Sequence, residues 1–121
     1  MSVYTPADVE AKLVALSQEY DVAHADLDRA EMMYADAKAA AEIEGARARM
    51  YIRARALTAG RKITVGEVDD ESTVQCAEQI TALYTSEAIV RAARANATRL
   101  RTQIDIARSV GTAVRAAMDM G

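Results

Sequence analysis

Apolar and small residues recur along the first half of the chain at alternating steps of four and three residues. This spacing keeps one stripe of a helix turned toward a partner helix, as in a coiled coil. Thr5 is a good N-cap, Pro6 suits the first helical position, and Asp8 falls three residues after the cap. The pattern predicts a helix over about 6–59. Its expected seam is Val9, Leu13, Leu16, Tyr20, Ala23, Leu27, Ala30, Tyr34, Ala37 and Ala41, then Ala48 and Tyr51 after an interruption at Glu44.

A second seam of the same kind runs through the rest of the chain. The run Thr58-Ala-Gly60 predicts a C-cap and a turn at about 60–64. Thr64 with Glu67 forms a capping box for a helix over about 64–118, and a second box at Ser72-Thr-Val-Gln75 predicts a bend near 69–73. One expected row of this seam is Cys76, Leu83, Val90, Ala97, Ile104, Gly111 and Met118, and the other is Ala93, Leu100, Ala107 and Val114.

Charge blocks favour an antiparallel pairing of these two helices, which are nearly equal in length. Residues 1–44 carry ten acids and three bases, 45–62 six bases and no acid, 63–88 six acids and no base, and 89–118 six arginines and one acid. A reversal at 60–64 places blocks of opposite charge side by side, although each exposed pair contributes only a few tenths of a kcal/mol. The sequence predicts an all-α fold in which 1–121 form one antiparallel, coiled-coil-like hairpin domain.

The composition adds an expectation about assembly. The chain has no Trp and no Phe, and its seam is rich in alanine, so a lone hairpin would bury little apolar area. At about 25 cal/mol per Å² of buried apolar surface, it would gain little free energy of folding. Several large apolar residues lie outside the strict seam and need further cover: Met32, Met33, Ile43, Ile52, Ile80, Tyr84 and Ile89. We therefore expect a homo-oligomer.

Residues that could support catalysis are few. His24 is the only histidine and Cys76 the only cysteine, and neither has the companions that a metal or nucleophile site requires. We therefore expect a protein that is not an enzyme and has no cofactor and no metal. The N-terminus lacks a signal-peptide pattern, and no stretch approaches the roughly 18 uncharged apolar residues of a membrane span. A cytoplasmic protein without a membrane partner is expected.

The basic run before and within the turn is the main candidate for a binding site. Arginines bind phosphates bidentately, and a tyrosine can stack on an unpaired base. The candidate residues for nucleic-acid binding are Arg47, Arg49, Tyr51, Arg53, Arg55, Arg61 and Lys62. The alternative is that these bases only neutralise the acidic block across the hairpin, at Glu67, Asp69, Asp70, Glu71 and Glu78.

Several short patterns resemble the UvsY-type recombination mediators of phages, including the shorter, divergent versions of siphophages. The pentad Ile52-Arg53-Ala54-Arg55-Ala56 is similar to the family's single-strand-binding motif Leu-Lys-Ala-Arg-Glu, with alanine in place of the glutamate. The remaining similar stretches are Glu31-x-x-Tyr34-x-x-x-Lys38, the basic helix leading to Gly60, Ile63-Thr-Val-Gly-Glu-Val68, Ser86-Glu-Ala88, Ile104-Asp-Ile-Ala-Arg-Ser-Val110 and Val114-Arg-Ala-Ala-Met118.

The resemblance implies a function in DNA recombination. Such a protein forms an oligomeric ring, binds single-stranded DNA, helps to displace the single-strand-binding protein, and loads a RecA-like recombinase without hydrolysing nucleotides itself. In a phage-encoded protein the location would be the host cytoplasm. The alternative from another class is a non-enzymatic phage structural or assembly protein, or a helical adaptor that inhibits a host enzyme.

Overall fold

The computed structural model describes residues 4–120, of which 91% are helical, with no strand among them. Helix α1 spans Pro6–Thr58, α2 spans Val65–Gln75, and α3 spans Ala77–Asp119. The all-α prediction is therefore confirmed.

The start of α1 is fixed by a reciprocal capping box. The backbone N–H of Asp8 donates to Thr5 Oγ1 at 3.2 Å, and the backbone N–H of Thr5 donates to Asp8 Oδ2 at 3.0 Å. The hydrogen bonds from the amide of Thr5, and secondly from its hydroxyl, hold the pKa of Asp8 below its usual value. The predicted cap is confirmed.

The end of α1 is a Schellman motif, in which a residue with positive φ lets the chain turn out of the helix. Gly60 has a φ of 67°. Its N–H donates to the carbonyl of Leu57 at 3.1 Å, and the N–H of Arg61 donates to the carbonyl of Ala56 at 2.9 Å. The predicted C-cap is confirmed, and its geometry favours glycine at position 60.

Replacing Gly60 with alanine is expected to lower the free energy of unfolding by about 1 kcal/mol, because an L-residue is strained at positive φ. A Cβ at this position would meet no atom within 4 Å, so the backbone alone causes the loss. Urea denaturation measures it. Gly66→Ala is the matched control, because Gly66 lies in the first turn of α2 without positive φ and with space for a Cβ. A control as unstable as Gly60→Ala would contradict this explanation.

The two predicted caps of the second half have different outcomes. Thr64 caps α2, since its Oγ1 accepts from the backbone N–H of Glu67 at 3.1 Å, as predicted. Ser72 is not a cap: it lies inside α2, is buried, and its hydroxyl donates to the carbonyl of Asp69 at 2.9 Å. A serine hydroxyl satisfied by its own helix leaves the helix unbroken. The interruption instead falls at Cys76, beyond the predicted bend near 69–73.

The buried stripe of α1 follows the predicted seam from Val9 to Ala41, where every seam residue is buried or half-buried. From Glu44 onward, the residues of the buried stripe recur at steps of four instead of alternating steps of four and three. The stripe therefore continues through Ala48, Ile52 and Ala56. The placement of Tyr51 in the seam was therefore wrong, because this side chain is exposed. Ile52 is buried, and it does not need the additional cover expected from the sequence.

The buried stripe of α3 also follows the predicted rows, which are buried or half-buried as far as Val114, whereas Met118 is exposed. Toward the N-terminus the second row continues with two buried serines, Ser72 and Ser86. Ser86 donates its hydroxyl to the carbonyl of Leu83 at 2.8 Å. Within the described part of the chain, no buried side-chain polar atom lacks a hydrogen-bond partner.

The chain divides into two compact units, one formed by the residues up to Arg29 with those from Arg91 onward, and the other by Ala30–Val90. In the first unit, the beginning of α1 packs against the C-terminal half of α3 around the cluster Leu16, Ala23, Ala97, Leu100 and Ile104.

The second unit contains the rest of α1, α2 and the beginning of α3. Here the end of α1 meets α2, and the two helices and the turn line one groove. Its lining residues are Ile52, Arg55, Ala59, Arg61, Glu71 and Gln75. This unit therefore contains the whole basic run.

Candidate nucleic-acid interface

The predicted binding residues lie on the last part of α1 and in the turn after it. Arg47, Arg53 and Arg55 have exposed side chains on α1, and Arg49 is half-buried. Arg61 and Lys62 are exposed in the turn, and Tyr51 is 56% exposed. The run therefore forms an accessible basic surface at this end of the second unit.

The residues of the run on α1 form two rows on opposite flanks of the helix. Successive residues are rotated by about 100°, so Arg47, Tyr51 and Arg55, at steps of four, share one flank. By the same geometry, Arg49 and Arg53 share the other flank. The buried residues of α1 lie between the two rows. Arg53 and Arg55, the two basic positions of the pentad, therefore do not face the same side of the helix.

Tyr51 and Arg55 interact with each other. The guanidinium carbon of Arg55 lies 5.8 Å from the centroid of the Tyr51 ring, within the range of a cation–π contact. This pair places a cation and an exposed aromatic ring on one flank, which is the combination that single-stranded nucleic acid binders use.

The bases of the run do not form the ion pairs with Glu67, Asp69, Asp70, Glu71 and Glu78 that the alternative interpretation of the sequence predicts. Arg47 pairs with Glu44 of its own helix at 2.9 Å. Among residues 4–120, no carboxylate lies within ion-pair distance of the other bases of the run, which are Arg49, Arg53, Arg55, Arg61 and Lys62. Glu71 lines the same groove as Arg55 and Arg61 without closing an ion pair with either. The charges of these five bases are therefore not neutralised by ion pairs with carboxylates of the described residues.

The other residues that could take part in catalysis or metal binding do not come together in one site. His24 Nδ1 lies 3.6 Å from Asp28 Oδ2, and its ring lies 6.0 Å from that of Tyr20. Cys76 is buried in the second unit. In the part of the chain that the structure describes, no three metal-ligating side chains come together.

A row of exposed apolar residues on α1 was only partly recognised from the sequence. Ile43, Met50 and Leu57 recur every seven residues on the outer face of the helix, and all three are more than half exposed. Only Ile43 was expected to need cover. The seven-residue spacing of the three was visible in the sequence and could have revealed the row.

Comparison of the chain with sequence families, curated proteins and solved structures gave no match. Among the described helices, none is both long enough and apolar enough to cross a membrane.

Proposed function

We propose that the chain is a non-catalytic, single-stranded-DNA-binding recombination mediator that helps to load a RecA-like recombinase in place of the single-strand-binding protein. The observation that carries the proposal is the exposed basic run, whose bases other than Arg47 have no carboxylate partner among residues 4–120. Exposed guanidinium groups bind phosphates bidentately and without regard to base sequence. The recombinase and the single-strand-binding protein are proposed as partners because short patterns of the chain resemble UvsY-type mediators.

The two rows of the basic run suggest how a strand is held. Phosphates are contacted by Arg53 and Arg55, with help from Arg47 and Arg49. Arg61 and Lys62, in the turn beyond α1, connect the two flanks, so the strand crosses this end of the helix. Tyr51 stacks on an unpaired base from the flank that it shares with Arg55.

The architecture that goes with this function is an antiparallel, coiled-coil-like hairpin that assembles into a homo-oligomer. Contacts of the beginning of α1 with the end of α3, and of the end of α1 with α2, support the hairpin. Oligomerisation is supported by large apolar side chains that remain exposed: Met32, Met33, Ile43, Tyr84 and Ile89. Several basic runs in one assembly would bind one strand multivalently and gain affinity.

Replacing Arg53 and Arg55 together by alanine is expected to weaken binding of labelled oligo-dT at least about tenfold at low salt, because two phosphate contacts are lost. Fluorescence anisotropy measures the affinity, and circular dichroism checks that helicity is kept. The loss should be the same for oligonucleotides of any sequence, since phosphate contacts carry no base information.

The matched control is the double variant Arg99→Ala and Arg101→Ala. It removes the same charge at the same spacing from exposed positions of α3 in the other unit. This variant is expected to bind as the parent does. An equal loss in both variants would indicate unspecific charge attraction. If the parent failed to bind oligo-dT even at low salt, the proposed mediator function would be wrong. The alternative function, a phage assembly protein or helical adaptor, would then replace it.

A further inference from the structure

One surface of the second unit is a row of bulky apolar side chains, here called the ridge and formed by Ile43, Met50 and Leu57. Their exposed fractions are 52%, 68% and 83%. On a helix of 3.6 residues per turn, the ridge points away from the buried residues Ala48 and Ile52. Exposed apolar rows of this kind mark interaction sites.

A second surface of the same unit is a shallow groove of small residues on α3. Its lining includes Ala77, Glu78, Thr81, Ala82 and Thr85 of α3, and it also includes Met33 of α1. The lining is predominantly apolar. Small residues let a second helix approach closely, so the groove can accept large side chains from a partner.

The ridge and the groove are complementary in charge as well as in size. Arg47 and Arg53 border the ridge, which lies mostly within the acid-free run 45–62. The groove has one charged residue in its lining, Glu78, which belongs to the stretch 63–88 with its six acids and no base. Contact of two ridges would bring arginines together, and contact of two grooves would bring acids together. Like-charge contacts of this kind oppose pairing, whereas ridge against groove joins opposite charges.

The two surfaces cannot cover each other within one chain. The ridge is on α1, the groove lies mainly on α3, and the exposed side chains of both lie outside the buried stripes of their helices. A second copy supplies both missing partners at once. No other occupant needs to be invoked to match both the size and the charge of each surface.

We propose that the ridge of one copy docks into the groove of a second copy, in a head-to-tail contact. An open assembly then has a free ridge at one end and a free groove at the other, so growth continues beyond a dimer and stops when a ring closes. Arg55 lies further round α1 and Arg61 and Lys62 lie in the turn, so these bases stay accessible to a strand. The inference rests on the proposed homo-oligomer, and it places Arg53, one of the proposed phosphate contacts, at the border of the docked surface.

Two variants test the contact by light scattering. Met50→Glu places an acid on the ridge, where it meets Glu78 of the groove. Thr81→Arg places a bulky base in the groove, where it meets the arginines that border the ridge. Each variant alone is expected to return the chain mass of 13.1 kDa at concentrations where the parent is larger than a dimer. An equimolar mixture is expected to form complexes of at least twice that mass, because one intact ridge and one intact groove remain and the two changed surfaces carry opposite charges.

The control is Met118→Glu, the same change at a methionine of similar exposure outside the ridge, which should keep the mass of the parent. Circular dichroism must show unchanged helicity in all three variants. A mixture that stays at the single-chain mass, or single variants that keep the parental mass, would overturn the head-to-tail contact. Oligo-dT binding, measured separately on the same variants, distinguishes this failure from a failure of the proposed DNA-binding function.

Discussion

Raising the salt concentration from about 50 to about 200 mM is expected to weaken the binding of oligo-dT by at least about 50-fold. Four exposed bases have no carboxylate partner among the described residues, namely Arg53, Arg55, Arg61 and Lys62. Each phosphate that they neutralise on a single strand contributes about −0.7 to the slope of log K against log salt. These four bases are therefore expected to contribute about −2.8 to the slope per copy, and anisotropy titrations at several salt concentrations measure the slope.

Two variants separate the ionic part of binding from base stacking. The double variant Arg53→Ala and Arg55→Ala should make the slope less steep by about 1.4, because two phosphate contacts are lost. Tyr51→Ala should weaken binding by about 1–3 kcal/mol per stacked base and leave the slope unchanged. A flat salt dependence in the parent would mean that phosphates are not the groups recognised.

The seam of the fold could be predicted because alternating steps of four and three residues can be read directly from the positions of apolar residues. The caps at Thr5, Gly60 and Thr64 were predictable for a similar reason, since each depends on residues at most a few positions apart. Tyr51 was placed wrongly in the seam because a change of step after Glu44 moves the buried stripe onto Ile52. Tertiary packing decides where such a change of step occurs.

The candidate site was predictable as a set of residues and not as a geometry. An acid-free basic run is visible in composition, and the two flanks follow from helix geometry once α1 is known to continue through Arg55. Whether an arginine meets a carboxylate depends on the register of neighbouring helices and on side-chain rotamers. The lack of a described carboxylate partner for Arg53 therefore required the structure, whereas the pairing of Arg47 with Glu44 follows from their i,i+3 spacing on one helix.

Ser72 illustrates a second limit of short patterns. The sequence Ser72-Thr-Val-Gln75 satisfies the capping-box pattern, but a serine inside a helix can instead donate to a carbonyl of the preceding turn. The structure has this second arrangement, with Ser72 buried in α2. Local sequence cannot distinguish the two cases, because burial of the side chain depends on packing with the rest of the second unit.

Replacing Leu100 with alanine is expected to lower the free energy of unfolding by about 3 kcal/mol. Leu100 is 2% exposed and belongs to the apolar cluster of the first unit. Two other buried members of this cluster, Ala23 and Ala97, are too small to fill the cavity that the truncation leaves. Because few large side chains fill this alanine-rich stripe, a single leucine contributes a large part of its buried apolar area.

Urea denaturation at a fixed protein concentration measures this loss, since the stability of an oligomer depends on concentration. Ile106→Ala on the same helix is the control, because Ile106 is more than half exposed and its truncation should change stability by at most about 0.5 kcal/mol. If both variants lost the same small amount, the cluster around Leu100 would not be the main source of stability in the first unit. A large loss confined to Leu100→Ala would identify this leucine as the residue that holds the beginning of α1 against α3.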